Sequence, residues 1–305
     1  MRLRLMFGPV LIAFLLGLMW LDSRLDSVHV GSGWGILAEP DGTLTPGLPV
    51  LLVGLGVCAR AGYELRQMFA AKGLQASAKS LPLCASAGLL AGVLTIGGRA
   101  PVPPQYAPAL LATAAAGAVF LPMLAFLRRK TPQGAAGAIA AAITTFTYVG
   151  VMLAFLMAVR REYAVWVMVM VVLTIKACDS GAYFTGKAIG KHKMIPWLSP
   201  GKTWEGLAGG LVSAALCGLL FQYLAGQWGP SILQGVPTWK WMVFGVLLGG
   251  FGQLGDLSAS VFKRDAGIKD SGSILPGFGG VIDMLDSLLL TGPVAYWLLH
   301  AIRSS

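Results

Sequence analysis

Nine stretches of the chain are almost unbroken apolar runs, at residues 5–21, 48–59, 82–96, 107–127, 135–159, 164–184, 204–225, 241–257 and 281–300. Most of the charge lies between them. Runs of this length without strict alternation read as helices rather than strands, and most approach the roughly 20 residues that a helix needs to cross a bilayer. The pattern predicts an all-α, polytopic integral membrane protein with about nine transmembrane helices. The first run follows a basic start, Arg2 and Arg4, as in a signal peptide, but it is long for one and lacks a following A-x-A pattern. It therefore reads as a first span. Residues 23–45 are polar and broken by Gly and Pro, an exposed loop. The short second run continues into 60–72, whose GYELRQMF reads as an amphipathic helix end lying at an interface. Gly292-Pro293 is expected to kink the ninth helix.

Composition agrees with this picture, since 56% of the 305 residues are hydrophobic and only 12% charged. Nothing resembles a separate soluble domain. A net charge of +10 suggests nucleic acid, but the basic residues lie in short loops between apolar runs rather than on one face of a soluble fold. Orientation in a membrane and attraction to anionic lipid or phosphate account for that distribution. With the N-terminus inside, 16 of the 23 Lys and Arg fall on the cytoplasmic side and six outside, with Lys176 within a span. Arg160 and Arg161 are the poor fits. The loops after the sixth and eighth spans then both face the cytoplasm. Cys58, Cys84, Cys178 and Cys217 have neither metal-ligand nor disulfide spacing and read as small packing residues. No internal repeat is present.

The chemistry concentrates in SVFKRDAGIKDSGSILPGFGGVIDMLD, residues 260–286, which holds Lys263, Arg264, Asp265, Lys269, Asp270, Asp283 and Asp286. Asp283 and Asp286, three apart, share a helical face at the head of the last apolar run. One aspartate near the centre of a membrane helix costs about 2.5–3.5 kcal/mol on insertion scales, so something cationic is expected between the two. The glycines at 267, 272, 277, 279 and 280 let backbone amides approach a ligand, the basic residues neutralise phosphate oxygens, and aspartates hold a divalent metal. Magnesium suits that set. A network of intramembrane salt bridges accounts for some of the same pairs.

The other polar segment, KACDSGAYFTGKAIGKHKMIPWLSPGKTWEG, spans 176–206. Gly201-Lys202-Thr203 imitates the end of a phosphate-binding loop, but Pro196 stands where that motif wants glycine, so a Walker A loop is rejected. Ser199 reads as an N-cap with Pro200 at the first helical position, which would turn amides toward an anion beside Lys202. Lys187, Lys191, Lys193 and Lys202 also suit a plain marking of the inside face. Lys176 and Asp179 can pair on one helical face. His192 reads as a solvated side chain rather than a metal ligand.

Ser260-x-Phe262-Lys263-Arg264, Lys269-Asp270 and Gly279-Gly280-x-x-Asp283-x-x-Asp286, in that order, resemble the signature of the phosphatidate cytidylyltransferases, or CDP-diacylglycerol synthases. Asp179, AYF, GKHK, Pro196 and SPGKTWEG are similar to that family's other long motif. The resemblance covers roughly residues 164–300; before that only the apolar spans are alike. Ala259, Phe278 and Met284 stand where the family usually has glutamate, histidine and arginine. The resemblance implies transfer of CMP from CTP to phosphatidate, giving CDP-diacylglycerol and pyrophosphate, with Mg2+ as cofactor. It implies catalytic roles for Asp256, Lys263, Arg264 and Asp283. Asp256 and Asp283 would be the main metal ligands, with Asp286 beside or behind them. Lys202, Lys263, Arg264 and Lys269 would contact phosphates, Ser260 would lie in the substrate site, and Asp179 and Asp270 would orient these cations or the nucleotide.

The expected organisation is therefore a set of N-terminal transmembrane helices over 1–160 and a catalytic membrane region over 161–305. The expected location is the cytoplasmic, or inner, membrane as a multi-pass protein. Partners are CTP, phosphatidate and membrane lipid, with no nucleic acid; association into a homodimer is left open. Two other readings stand beside this one: a CTP-dependent enzyme acting on another lipid phosphate or a polyprenyl substrate, and an organic-anion transporter. Transporters of many folds carry interrupted helices in both halves, whereas the charge here gathers in one.

Overall fold

The computed structural model describes residues 2–31, 38, 39, 41–74, 77, 79–129, 132–228, 235–272 and 279–303, and of residues 2–9, 11, 12, 129, 226 and 228 the backbone alone. Lys130, Gly277 and Phe278 lie outside the described residues. The chain forms ten α-helices and one small two-stranded hairpin among the described residues, so the all-α reading holds. It divides into two compact units, residues 1–165 with 266–284, and residues 166–265 with 285–305.

The first unit contains α1 (Arg2–Leu25), α2 (Leu48–Ala71), α3 (Ser80–Thr95), α4 (Ala107–Arg129), α5 (Ala135–Thr145) and α6 (Met152–Glu162). A π-helical segment, Phe146–Val151, joins α5 to α6 without a break. The short α3 packs against α2, α4, α5, the π segment and α6. Its buried Cys84, Ala85, Gly88 and Ala91 allow that crowding, because small side chains let helix backbones approach. Cys58 of α2 is fully buried as well, in keeping with cysteines used for packing.

At one end of this unit, Arg160 is buried against Asp22 and donates to both oxygens of Asp26 at 2.7 Å. Arg161 donates to the carbonyls of Val93 at 2.8 Å and Arg99 at 2.6 Å. Arg160 is thus paired with carboxylates, while Arg161 is held by the carbonyls of Val93, in the last turn of α3, and of Arg99 in the turn beyond it. Isolated bridges pair His29 with Thr43 and Ala38 with Leu44. Thr43 donates to Asp41 through its amide and hydroxyl, which holds the Asp41 carboxyl below its ordinary pKa.

The sequence reading differs from the structure at 60–72. These residues do not lie apart at an interface; they complete α2, and Glu64, Leu65 and Met68 are buried. The buried positions on this part of α2 pack inside the unit.

The second unit contains α7 (Val165–Ile189), whose first residue belongs to the other unit, then strands β1 (Lys193–Ile195) and β2 (Ser199–Thr203), α8 (Trp204–Trp228) and α9 (Thr238–Asp265). α10 (Val281–Arg303) begins in the first unit and continues into the second, running unbroken through Pro293. The strands pair antiparallel. α8 and α9 pack around Trp241, fully buried and stacked on Phe221 with centroids 4.8 Å apart, while Phe244 meets both rings edge-on.

Among the described residues seven helical stretches are long and apolar enough to cross a membrane: Leu48–Ala71, Ala107–Arg128, Ala135–Glu162, Val165–Ile189, Trp204–Ala225, Thr238–Asp265 and Val281–Arg303. The protein is a multi-pass membrane protein. Of the nine expected spans, the other two fall on α3, only 16 residues long, and on α1.

Removing Arg160 while Asp22 stays would strand a buried carboxylate, a loss of about 3–5 kcal/mol for a broken buried pair. Arg160→Met is expected to melt well below the native protein in a detergent thermal-stability assay, and Arg160→Met with Asp22→Leu to recover most of the difference. Equal melting of the native and single-variant proteins would show that the pair carries no weight.

Candidate active site

In the second unit a chain of polar contacts links α7, α9 and the hairpin. Lys176 and Asp179, three apart on α7, pair at 3.0 Å as their spacing suggests. The other Asp179 oxygen accepts from the side-chain amide of Gln253 at 2.9 Å. Gln253 and Asp256 are likewise three apart on α9, so both meet Lys202 of β2. The Lys202 ammonium lies 2.7 Å from Asp256 Oδ2 and donates to the Gln253 carbonyl at 3.3 Å. Partly exposed pairs of this kind stabilise by about 1 kcal/mol or less. Their consequence is orientation: Asp179, Lys202 and Asp256, three residues expected at the site, occupy one connected network.

The hairpin that presents Lys202 is tied at both ends. Glu205 accepts from the amides of Lys191 at 3.1 Å and His192 at 3.2 Å, and meets the His192 ring at 2.5 Å. His192 is 79% exposed, solvated as expected. At the turn, Arg264 donates to the Leu198 carbonyl at 3.3 Å, joining the end of α9 to the hairpin. Ser199 and Pro200 do not open a helix, as their order suggested; they lie in β2, and α8 starts at Trp204. Thr203 supplies the cap instead, accepting from the Gly206 amide at 3.1 Å. Local capping signals lose here to strand pairing, which uses the same backbone.

α9 and α10 touch backbone to backbone at Gly255. A Cβ there would run into the main-chain oxygen of Asp286 and come within 3.2 Å of Ser287 Cα, so only glycine fits. The next residue, Asp256, is thereby set beside Asp286. Asp286 is only 6% exposed, and its Oδ1 accepts from the Ser287 amide at 2.7 Å and hydroxyl at 3.2 Å. The charged groups acting on it are Asp256, Lys263 and Lys176. Lys263, 8% exposed, is a cation of the kind the paired aspartates demand. Ser260 is half-buried one turn before it on α9, and Arg264 is exposed.

In the first unit, Asp283 occupies the first turn of α10. Its Oδ2 accepts from the Gly280 amide at 2.9 Å, the Ser271 amide at 2.7 Å and the Ser271 hydroxyl at 2.8 Å. Reaching back from the third helical residue to the capping amide is the acidic half of a capping box. Gly279 has φ +86°, which lets the chain turn into the helix. Lys269 and Asp270 are exposed just before Ser271, and Met284 is half-buried just after Asp283.

Sequence reasoning missed Glu64 of α2. Its carboxylate is fully buried and accepts from the amides of Val281 at 2.9 Å and Ile282 at 3.0 Å and from the Ser271 hydroxyl at 2.9 Å. The signal was present: Glu64 is the only acidic residue between Asp41 and Glu162, and an isolated charge in an apolar helix is functional or structural by default. Among the described residues no three His, Cys, Asp or Glu side chains gather as a metal cage. The donor set that does converge, the carboxylates of Asp256 and Asp286, is of hard oxygens. That suits magnesium, which takes one or two carboxylates and completes its shell with water and phosphate.

Comparison with known proteins bears on this arrangement. Residues 42–302 match the model of the "Cytidylyltransferase family". The phosphatidate cytidylyltransferase of Bacillus subtilis is 40% identical over 154 residues, 50% of this chain and 55% of that protein. Its namesake in Haemophilus influenzae is 38% identical over 131 residues, 43% of this chain and 44% of that protein. In Staphylococcus saprophyticus the protein of that name is 37% identical over 163 residues, 52% of this chain and 58% of that one. The chain spans about half the length of the curated relatives it matches. The family match takes in α2 and Glu64 as well as the charged network, and on it the chain belongs to the cytidylyltransferase family.

Proposed function

We propose that the protein is a CTP:phosphatidate cytidylyltransferase, making CDP-diacylglycerol and pyrophosphate for phospholipid biosynthesis. The observation that carries this reading is the pair Asp256 and Asp286, set side by side by the contact at Gly255, with Lys202 and Lys263 beside them. Carboxylates and cations interleaved in this way suit a polyphosphate and its metal, and the names of the relatives point to CTP and phosphatidate.

The chemistry asks little of the protein beyond placement. A phosphate monoester has a second pKa of about 6, so the headgroup of phosphatidate is largely ionised at neutral pH and needs no general base. One of its oxygens forms a bond to the α-phosphorus of CTP while the bond from that phosphorus to the β-phosphate oxygen breaks. Pyrophosphate leaves with the electron pair. Two polyanions must approach each other, and charge builds on the leaving group; fixed cations lower both barriers. Lys202, already held by Asp256 and the Gln253 carbonyl, is placed to exchange that partner for a phosphate oxygen. Lys263, Arg264 and Lys269 have the same charge to offer, and Asp179 keeps Lys176 and Gln253 in position.

Magnesium, when bound, would neutralise triphosphate charge. Asp256 and Asp286 would hold it, and the resemblance adds Asp283, three residues earlier on the same helix. The balance of basic residues favours a cytoplasmic N-terminus, with CTP reaching the site from the cytoplasmic side of the inner membrane.

Purified protein in detergent is expected to convert radiolabelled CTP into organic-extractable lipid only when phosphatidate and magnesium are both present, and chelation should stop it reversibly. CTP binding without lipid product would move the acceptor to another lipid phosphate, and absence of CTP binding would end the cytidylyltransferase reading. Asp256→Asn, Asp286→Asn and Lys202→Met are each expected to lower kcat by about 100-fold or more, the scale of losing one preorganised charge in a water-poor site. Melting temperatures near the native value would separate that loss from unfolding. Near-native turnover by any of the three would remove that residue from the site.

A further inference from the structure

A helix start that carries a site carboxylate has to be held in one orientation. Gly280, the capping residue of α10, has no side chain with which to satisfy the first amides of its helix. Nor can it acquire one: a Cβ at 280 would collide with the Ser271 hydroxyl and stand 2.5 Å from Glu64 Oε2. The caps come instead from a residue 217 positions away in sequence, Glu64, whose two oxygens take the amides of Val281 and Ile282. A buried carboxylate is tolerated there because it meets backbone donors and the positive end of the helix, with Arg60 3.5 Å away on its own helix.

Glu64 and Asp283 also share Ser271. The hydroxyl lies 2.9 Å from Glu64 Oε2 and 2.8 Å from Asp283 Oδ2, and its single proton serves one of them at a time. The Ser271 amide is committed to Asp283. Any rotation of the Asp283 carboxylate must therefore be matched at Ser271, and Ser271 is held by Glu64. A cap made only for stability needs no such coupling, since the two Glu64 oxygens already satisfy the Val281 and Ile282 amides without Ser271.

We infer that Glu64 is a positioning residue for the reaction, fixing the orientation of the Asp283 carboxylate through Ser271 and the first amides of α10. The inference rests on the cytidylyltransferase reading, in which Asp283 belongs to the site. It gives α2, otherwise one apolar span among several, a part in the chemistry through Ser271 and Asp283.

The test is a double-variant cycle on the full-length protein with Glu64→Gln, Ser271→Ala and both together. Glu64→Gln is expected to lower kcat by about 10–100-fold, the range found for residues that orient ligating side chains, while KM for CTP moves by less than about threefold. Ser271→Ala should lower kcat in the native background and do almost nothing in the Glu64→Gln background, since both act through one network. Hydrogen exchange at the Val281 and Ile282 amides should accelerate in Glu64→Gln, a readout independent of turnover. Unchanged kcat, multiplicative losses in the double variant, or unchanged exchange would each overturn the inference. Should Glu64→Gln fail to fold, Ser271→Ala against Ser271→Thr decides: the hydroxyl-bearing variant must retain kcat where alanine loses it. Native protein that makes no lipid from CTP would sink the enzymatic reading, with the exchange measurement still deciding whether Glu64 holds the start of α10.

Discussion

A charge placed among apolar helices must find a partner inside the protein, because neither lipid nor a packed core will solvate it. That constraint shapes each polar cluster described here. Arg160 enters the first unit only with Asp22 and Asp26 around it, and Glu64 only with three donors and Arg60. In the second unit Lys176, Asp179, Gln253, Lys202 and Asp256 alternate in sign and polarity so that each oxygen named meets a donor. The apolar helices do not simply surround these groups; their crossing points determine which charges meet.

Small residues provide that control. Backbone contact at Gly255 makes neighbours of two aspartates whose mutual repulsion would otherwise part them, and the closely packed α3 draws five helical segments onto its alanines and glycines. Packing and electrostatics are therefore one problem in this protein. The dispersion and small-residue contacts that hold membrane helices together are also what compress like charges to the point where they demand cations.

The legible part of the site was the part written locally. Lys263, Arg264, Asp283 and Asp286 declare themselves within 27 residues, and the i,i+3 spacing of Lys176 and Asp179 foretold their pairing. Family membership followed from the same clusters. Glu64 stayed hidden because its partners lie more than 200 residues downstream, and no period or spacing on α2 encodes them. The Ser199-Pro200 start was misread for the opposite reason: a sound local helix signal was overruled by pairing of 199–203 with 193–195. Arg160 looked like an exception to charge-based orientation because a sequence count cannot tell a neutralised arginine from a free one.

The π segment between α5 and α6 has its own consequence. Its hydrogen bonds reach one residue further than those of the flanking helix, so it accommodates an additional residue without a break. Each residue turns an α-helix by about 100°, so one extra residue sets the apolar stripe of α6 on a different heading from that of α5. One continuous rod can thus address both α4 and α3 along its first part and α3 along its second. It acts as a universal joint built from backbone alone, redirecting a helix where a proline kink would have sacrificed a hydrogen bond.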